Sequence, residues 1–152
     1  MPNPAHPGRT LFVSIPVADL ERTKAFFAKL GFSYNPKFTD ETAACMLVGE
    51  HAFVMLLSRE KFAEFSKLPS ADPTTHALAL YSFSASSRDE VDTVAAAALA
   101  AGGTEADDAE DLGFMYSRSF YDLDGHGWQV MWMDPAAAQQ GPEAFEASNA
   151  AA

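Results

Sequence analysis

Two stretches of the chain carry the same succession of local signals. In each, a strand pattern leads into a capped helix, glycine ends the helix, and short apolar runs follow. The first helix begins after Asp19 and ends at Gly31; the second begins at a capping box on Ser87 and ends at Gly102 and Gly103. Such a repeat indicates two modules related by pseudo-symmetry. We therefore predict an α+β fold of two tandem βαβββ modules.

The repeat also divides the chain into segments. In order, these are an extended arm at residues 1–9, a first module at 10–58, a connecting helix and linker at 59–75, a second module at 76–134 and a tail at 135–152. The second module ends in apolar runs on either side of Asp122, Asp124 and Gly125. Because these three residues favour turns, the pattern predicts a β-hairpin.

Four further predictions concern single segments of the chain. Phe32 to Phe38 and His76 to Ala85 are apolar enough for strands, and Arg59 to Leu68 has helical spacing. The acidic run Asp107 to Asp111 is predicted to be a solvated loop.

Charge and cysteine content limit the partners of the protein. There are 21 acidic and 10 basic residues, and the net charge of −11 repels phosphates and anionic membranes. We therefore expect neither a nucleic-acid nor a membrane partner. With Cys45 as the single cysteine, no charged-then-apolar leader and no apolar window of membrane-spanning length, a cytoplasmic location is expected.

Three short motifs mark the ends of these elements. Val-Ala-Asp opens the first helix, Leu-Gly-Phe closes it, and Asp-Leu-Asp-Gly precedes the last strand. On the paired modules, these motifs resemble the vicinal oxygen chelate superfamily, which includes glyoxalase I, bleomycin resistance proteins and extradiol dioxygenases. The strings FVSIPVADLERTKAFFAKLGF, FTDETAACMLV and GFMYSRSFYDLDGHGWQVMWMD resemble a subfamily labelled glyoxalase-like or predicted lactoylglutathione lyase. The resemblance extends from Thr10 to Asp134.

The resemblance implies a glyoxalase-type curled mixed sheet with helices on its convex face and a site on its concave face. It also implies a homodimer, since many members dimerise. Members typically hold a divalent metal (Ni, Zn, Fe or Mn) through His, Gln or Glu side chains, and substrate oxygens fill its open positions.

Of the positions that match those ligands, only Gln129 holds a plausible ligand, and one neutral amide does not make a metal site. The matched positions fall on Phe12, Leu80, Gln129 and either Met55 or, in a register shifted by one residue, Val54. Phenylalanine and leucine cannot ligate, and a thioether is a poor partner for a hard ion. We therefore expect no metal cofactor and no unmodified glyoxalase I mechanism.

Strand alternation predicts what lines the concave face instead. The predicted ligand-binding residues on that face are Phe12, Ser14, Met55, Leu80, Ser82, Gln129 and Met131. Tyr116, Ser117 and Arg118, in the strand that enters the hairpin, are predicted to add a hydroxyl or a cation near its mouth. An apolar surface with a few polar groups suits a small aromatic or acyl ligand. No catalytic residue is assigned, and whether the protein is an enzyme stays open.

Three functions remain. The leading hypothesis is a superfamily member that binds a small hydrophobic or aromatic molecule without the usual metal. The second is a glyoxalase-like, metal-dependent lyase or isomerase that recruits His51, His76 or Glu50. The third is a non-catalytic structural or partner-binding dimer.

Two residues with reactive side chains receive structural interpretations. His126 lies in the hairpin turn, where local packing or hydrogen bonding is the usual role of a histidine. Cys45 has no paired base in view and is predicted to be a small buried side chain.

Overall fold

The computed structural model describes residues 7–143 and arranges them in two four-stranded sheets. The first sheet contains β1 (Leu11–Val17), β2 (Ser33–Tyr34), β3 (Ala43–Gly49) and β4 (Ala52–Ser58) in the order β1-β4-β3-β2. The second contains β5 (Leu80–Ser84), β6 (Thr104–Asp111), β7 (Met115–Tyr121) and β8 (Gly127–Met133) in the order β5-β8-β7-β6. Each sheet joins its first and last strands in parallel and the others antiparallel. The predicted α+β fold of two βαβββ units is confirmed.

Four helices accompany the strands. They are α1 (Leu20–Lys29), α2 (Arg59–Phe65), α3 (Arg88–Ala100) and α4 (Pro135–Gln140). Asp19 accepts a hydrogen bond from the Arg22 amide and Ser87 accepts one from the Glu90 amide, so both predicted N-caps are confirmed. No helix within residues 7–143 is long and apolar enough to cross a membrane.

Two predicted strands are shorter than their apolar runs. Ser33–Tyr34 is followed by a 3₁₀ helix at Pro36–Phe38, because proline donates no ladder hydrogen bond and Asn35 caps the new turn. The run from His76 begins as a strand only at Leu80, since the His76 amide donates to the Asp72 carbonyl in a turn. The connecting helix likewise ends at Phe65 rather than Leu68.

The acidic run is a strand, not the predicted loop. β6 pairs antiparallel with β7, with register shifts between Glu105 and Asp107 and between Asp107 and Glu110. Pairing overrides the low strand propensity of Asp and Glu at this position. An edge strand tolerates such charges because its outer side faces water, where they discourage edge-to-edge association.

The predictions for the N-terminal arm and the C-terminal tail concern segments that the structure describes only in part. Residues 1–6 and 144–152, and with them most of the predicted arm and the end of the tail, lie outside the described residues. The tail begins with α4, whose first turn is capped by Asp134.

Both sheets contribute to one shared core, and a smaller separate cluster of Val91, Ala95 and Val130 packs α3 against the second sheet. Phe26 and Phe27 of α1 lie against Phe120 and Trp128 of the second sheet, with ring centroids 6.3 and 4.9 Å apart. The same cluster contains the helix-facing side chains of the first sheet, which include Ile15, Val17, Met46, Val54 and Leu56. The covered sides of both sheets therefore share this core, and the opposite, open face of each sheet points away from it.

The β7–β8 turn fastens the second module to the first. The buried Asp124 carboxylate accepts hydrogen bonds from the Ala18 amide at 2.8 Å and the Thr23 hydroxyl at 3.1 Å. His126 donates from Nε2 to the Pro16 carbonyl at 2.7 Å. The predicted hairpin and the structural role of His126 are both confirmed.

Asp122 holds the turn itself in shape. Its carboxylate accepts hydrogen bonds from the amides of Asp124 and His126 and from Nε1 of Trp128. Burial raises the pKa of Asp122, while nearby His126 and these hydrogen bonds act in the opposite direction. The acidic turn is thus a packed polar cluster between modules.

Replacing Asp124 tests whether its buried hydrogen bonds, rather than its negative charge alone, stabilise the fold. Asp124→Ala leaves two donors of the first module without their acceptor, and we expect a loss of about 2–4 kcal/mol in the free energy of unfolding. Urea unfolding followed by circular dichroism measures it. The exposed Asp108→Ala variant, which removes the same charge, should stay within about 0.5 kcal/mol of wild type. Equal effects of the two variants would contradict the proposed role of the turn.

Candidate functional site

The open face of the first sheet presents an aromatic pair. Phe12 on β1 lies directly opposite Phe53 on β4, and their rings stack with centroids 5.2 Å apart. Ser14 and Met55 form the next pair on the same face. Phe12 is 58% exposed, which is unusual for phenylalanine. This face therefore offers a flat apolar surface to another molecule.

The open face of the second sheet presents a hydrogen-bonded polar trio. Ser82 on β5 lies opposite Gln129 on β8 and donates to its Oε1 at 3.2 Å. Gln129 donates from Nε2 to the buried hydroxyl of Ser117 on β7, also at 3.2 Å. Leu80 and Met131 lie at neighbouring positions of the face. The amide is thereby fixed among apolar neighbours.

Ser117 lies on the open face itself and completes the trio. It lies in the middle of the Tyr-Ser-Arg string of β7, opposite Met131 and therefore on the open face. Strand parity counted from Gln129 across the hairpin gives the same placement.

Tyr116 and Arg118 do not belong to this face, so that prediction is wrong. They lie opposite Trp132 and the fully buried Val130, on the helix-covered side of the second sheet. The Tyr116 hydroxyl donates to Asp92 of α3 at 2.6 Å, and the Arg118 guanidinium lies 3.5 Å from the same carboxylate. Alternation along β7 explains the difference, because residues on either side of Ser117 must point the other way.

The predicted site residues divide into two groups within one chain. Phe12, Ser14 and Met55 lie on the first sheet, and the group around Gln129 lies on the second. Since both covered sides share one core, the two open faces do not face each other. A cavity of about 470 Å³ beside Ser82 is completed by the β3–β4 hairpin, not by Phe12.

The donor set does not fit the divalent metal that this kind of fold implies. The matched positions carry a phenylalanine, a leucine, a glutamine and a thioether, and Cys45 is buried with a pKa raised by burial. Hard divalent ions prefer carboxylates and imidazoles.

The alternative ligands are not assembled either. His51 lies 3.9 Å from Glu50 in the exposed β3–β4 turn, whereas His76 bonds to Thr75 in the linker. In the part of the chain that the structure describes, no three His, Cys, Asp or Glu side chains form a group that could hold a metal ion. We therefore derive no chemistry through a metal.

A family model matches most of the first module, and solved structures share the fold over most of the chain. The family described as Bleomycin resistance protein-like N-terminal matches residues 9–49. A glyoxalase-related enzyme from Fulvimarina pelagi superposes with a TM-score of 0.70 at 15% identity, over 82% of this chain and 87% of that one. This chain has the glyoxalase/bleomycin resistance fold.

Two further structures show how widely this fold is used. A hypothetical protein from S. aureus is 25% identical, with a TM-score of 0.69 over 81% of this chain and 92% of that chain. FosX, a fosfomycin resistance protein from Listeria monocytogenes, is 17% identical, with a TM-score of 0.60 over 82% and 93%. Another structure of FosX is complexed with Mn(II) and a sulfate ion.

The match over residues 9–49 agrees with the resemblance that the motifs indicate, and the solved structures share the fold. No protein with a curated description matches the chain significantly. The activity must therefore be argued from the open faces of this chain.

The donor set predicts that the protein does not retain a stoichiometric metal. After purification without chelator, elemental analysis should give well below one Mn, Fe, Ni or Zn per chain. A Ser82→His, Gln129→Glu double variant provides the control, because it places two ligands at directly paired positions. It should gain metal affinity over wild type in a titration followed by thermal shift. One ion per wild-type chain would contradict our interpretation of the donor set.

Proposed function

We propose that the protein binds a small hydrophobic or aromatic molecule on its open sheet faces without the divalent metal of the superfamily. The proposal is carried by an exposed aromatic surface on one open face and an oriented amide on the other. Ligand sites typically combine apolar walls with a few fixed polar groups. A lactoylglutathione lyase activity is not what we propose, because that reaction needs a Lewis acid and a strong base.

The proposal includes a homodimer in which each site has one face from each chain. β1 and β5 each pair with a single strand of their own sheet, so each leaves one edge free. Leu11 and Phe12 on β1 are largely exposed, and Leu80 on β5 is 81% exposed. A second copy that covers these residues would bring a Phe12 face opposite a Gln129 face. A cytoplasmic location is part of the same proposal, because a single cysteine provides no disulfide framework.

A structural or partner-binding dimer is the second candidate. It is favoured by the same exposed apolar residues on β1 and β5, which association alone would bury. The two candidates differ in what occupies the space beside Gln129. A ligand-binding protein keeps that space open in the dimer, whereas a purely structural dimer fills it with its own side chains.

Binding of an aromatic probe tests the first candidate. 2-Naphthol, titrated into isotope-labelled protein, should shift backbone amide resonances around Phe12 and Gln129. Phe12→Ala removes half of the aromatic pair and should weaken binding by about tenfold. Phe65→Ala is the matched control, because Phe65 on α2 is similarly exposed at 67% and lies outside both open faces. Absence of any saturable shift at the open faces would leave only the structural dimer.

Disrupting the free edge should disrupt association. Leu80→Glu places a charge on a surface that the dimer would bury, so we expect the mass of one chain instead of two in sedimentation velocity. Leu68→Glu adds the same charge to the linker, where Leu68 is 78% exposed, and should leave the mass unchanged. A wild-type monomer at all concentrations would contradict the dimer.

A further inference from the structure

The hydrogen-bonding capacity that remains at Gln129 defines what kind of group it can recognise. A glutamine amide has two N–H donors and two oxygen lone pairs. Ser82 occupies one lone pair and Ser117 one N–H, so one donor and one acceptor stay available. Turning the amide by 180° exchanges the two serines but leaves the same remainder. A ligand group that both donates and accepts therefore satisfies the site completely.

No basic residue of the eight described strands lies on an open face. Arg118 is the one basic residue in the eight described strands, and it lies on the covered side beside Asp92. Arg88 of α3 is held by Asp111 through hydrogen bonds of 2.9 and 3.0 Å. An anionic ligand would have no counter-charge beside Gln129 and would lose its hydration on binding.

Negative charge is present instead. Asp107 and Glu110 on β6 lie opposite Ser119 and Ser117, on the open face of the second sheet. Ser119 in turn lies opposite Gln129, which puts Asp107 in the same cross-strand row. The net charge of −11 adds a long-range field of the same sign. Both effects oppose the binding of a ligand that carries a carboxylate or phosphonate group.

We infer that the site selects ligands whose polar group is uncharged and able to both donate and accept hydrogen bonds, such as a carboxamide on an aromatic ring, and discriminates against anions. This inference rests on the proposed function. In the proposed dimer, a primary carboxamide can pair with the free N–H and C=O of Gln129 while its ring contacts the Phe12 face of the second copy. An ionised carboxylate accepts only, so it leaves the Gln129 acceptor unmatched.

An isosteric pair of probes tests the selectivity. 2-Naphthamide and 2-naphthoate share one ring system and differ in the group that meets Gln129. At neutral pH we expect calorimetry to show the amide binding about tenfold or more tightly. Gln129→Leu should abolish most of this difference by weakening the amide, and Gln129→Lys should reverse the preference by supplying a cation. Ser84→Ala, on the same face but outside the trio, should keep the wild-type ratio.

The outcomes separate the two proposals. Naphthoate binding as tightly as naphthamide, a preference that survives in Gln129→Lys, or a Ser84→Ala effect as large as that of Gln129→Leu would each overturn the selectivity while leaving ligand binding intact. If neither probe nor 2-naphthol perturbs the open faces, the proposed function fails and the selectivity falls with it. Circular dichroism of each variant verifies that the fold is retained.

Discussion

Helix-facing side chains of both sheets meet in one shared core, and α1 supplies the aromatic rings between them. Phe27 contacts Trp128 of the second sheet while packing among the buried residues of the first. The Asp124 carboxylate adds a buried, charge-assisted contact from the hairpin turn to the start of α1. Because this core covers one side of each sheet, only the opposite sides are available to bind a ligand. The position of every candidate residue follows from that division.

The chemistry of the open faces departs from the metal chemistry of proteins with a similar fold. Where a superfamily site needs imidazoles and carboxylates, this chain presents stacked phenylalanines on one face and a serine-bound glutamine on the other. Side chains of this type bind by contact area and hydrogen-bond matching instead of by Lewis acidity. The fold is therefore a scaffold whose site must be interpreted from its own residues.

Much of the fold was predictable because capping, glycine stops and strand alternation are local signals. The caps at Asp19 and Ser87 and the β7–β8 hairpin lie where the sequence predicts them. The acidic strand β6 was missed, because its pairing with β7 overrides the propensity of Asp and Glu. Tyr116 and Arg118 lie on the covered side rather than near the mouth of the site, because strand alternation points the neighbours of Ser117 away from the open face.

The sequence by itself determined the two modules, their helix ends and the residue types at the matched ligand positions, since each depends on residues close together in the chain. Only the tertiary structure decided that the two open faces point away from each other, because a shared core between distant segments sets their orientation. It also decided that Ser117 and Ser82 fix the Gln129 amide, since strand register brings those three residues together. Contacts between distant strands cannot be read from local patterns.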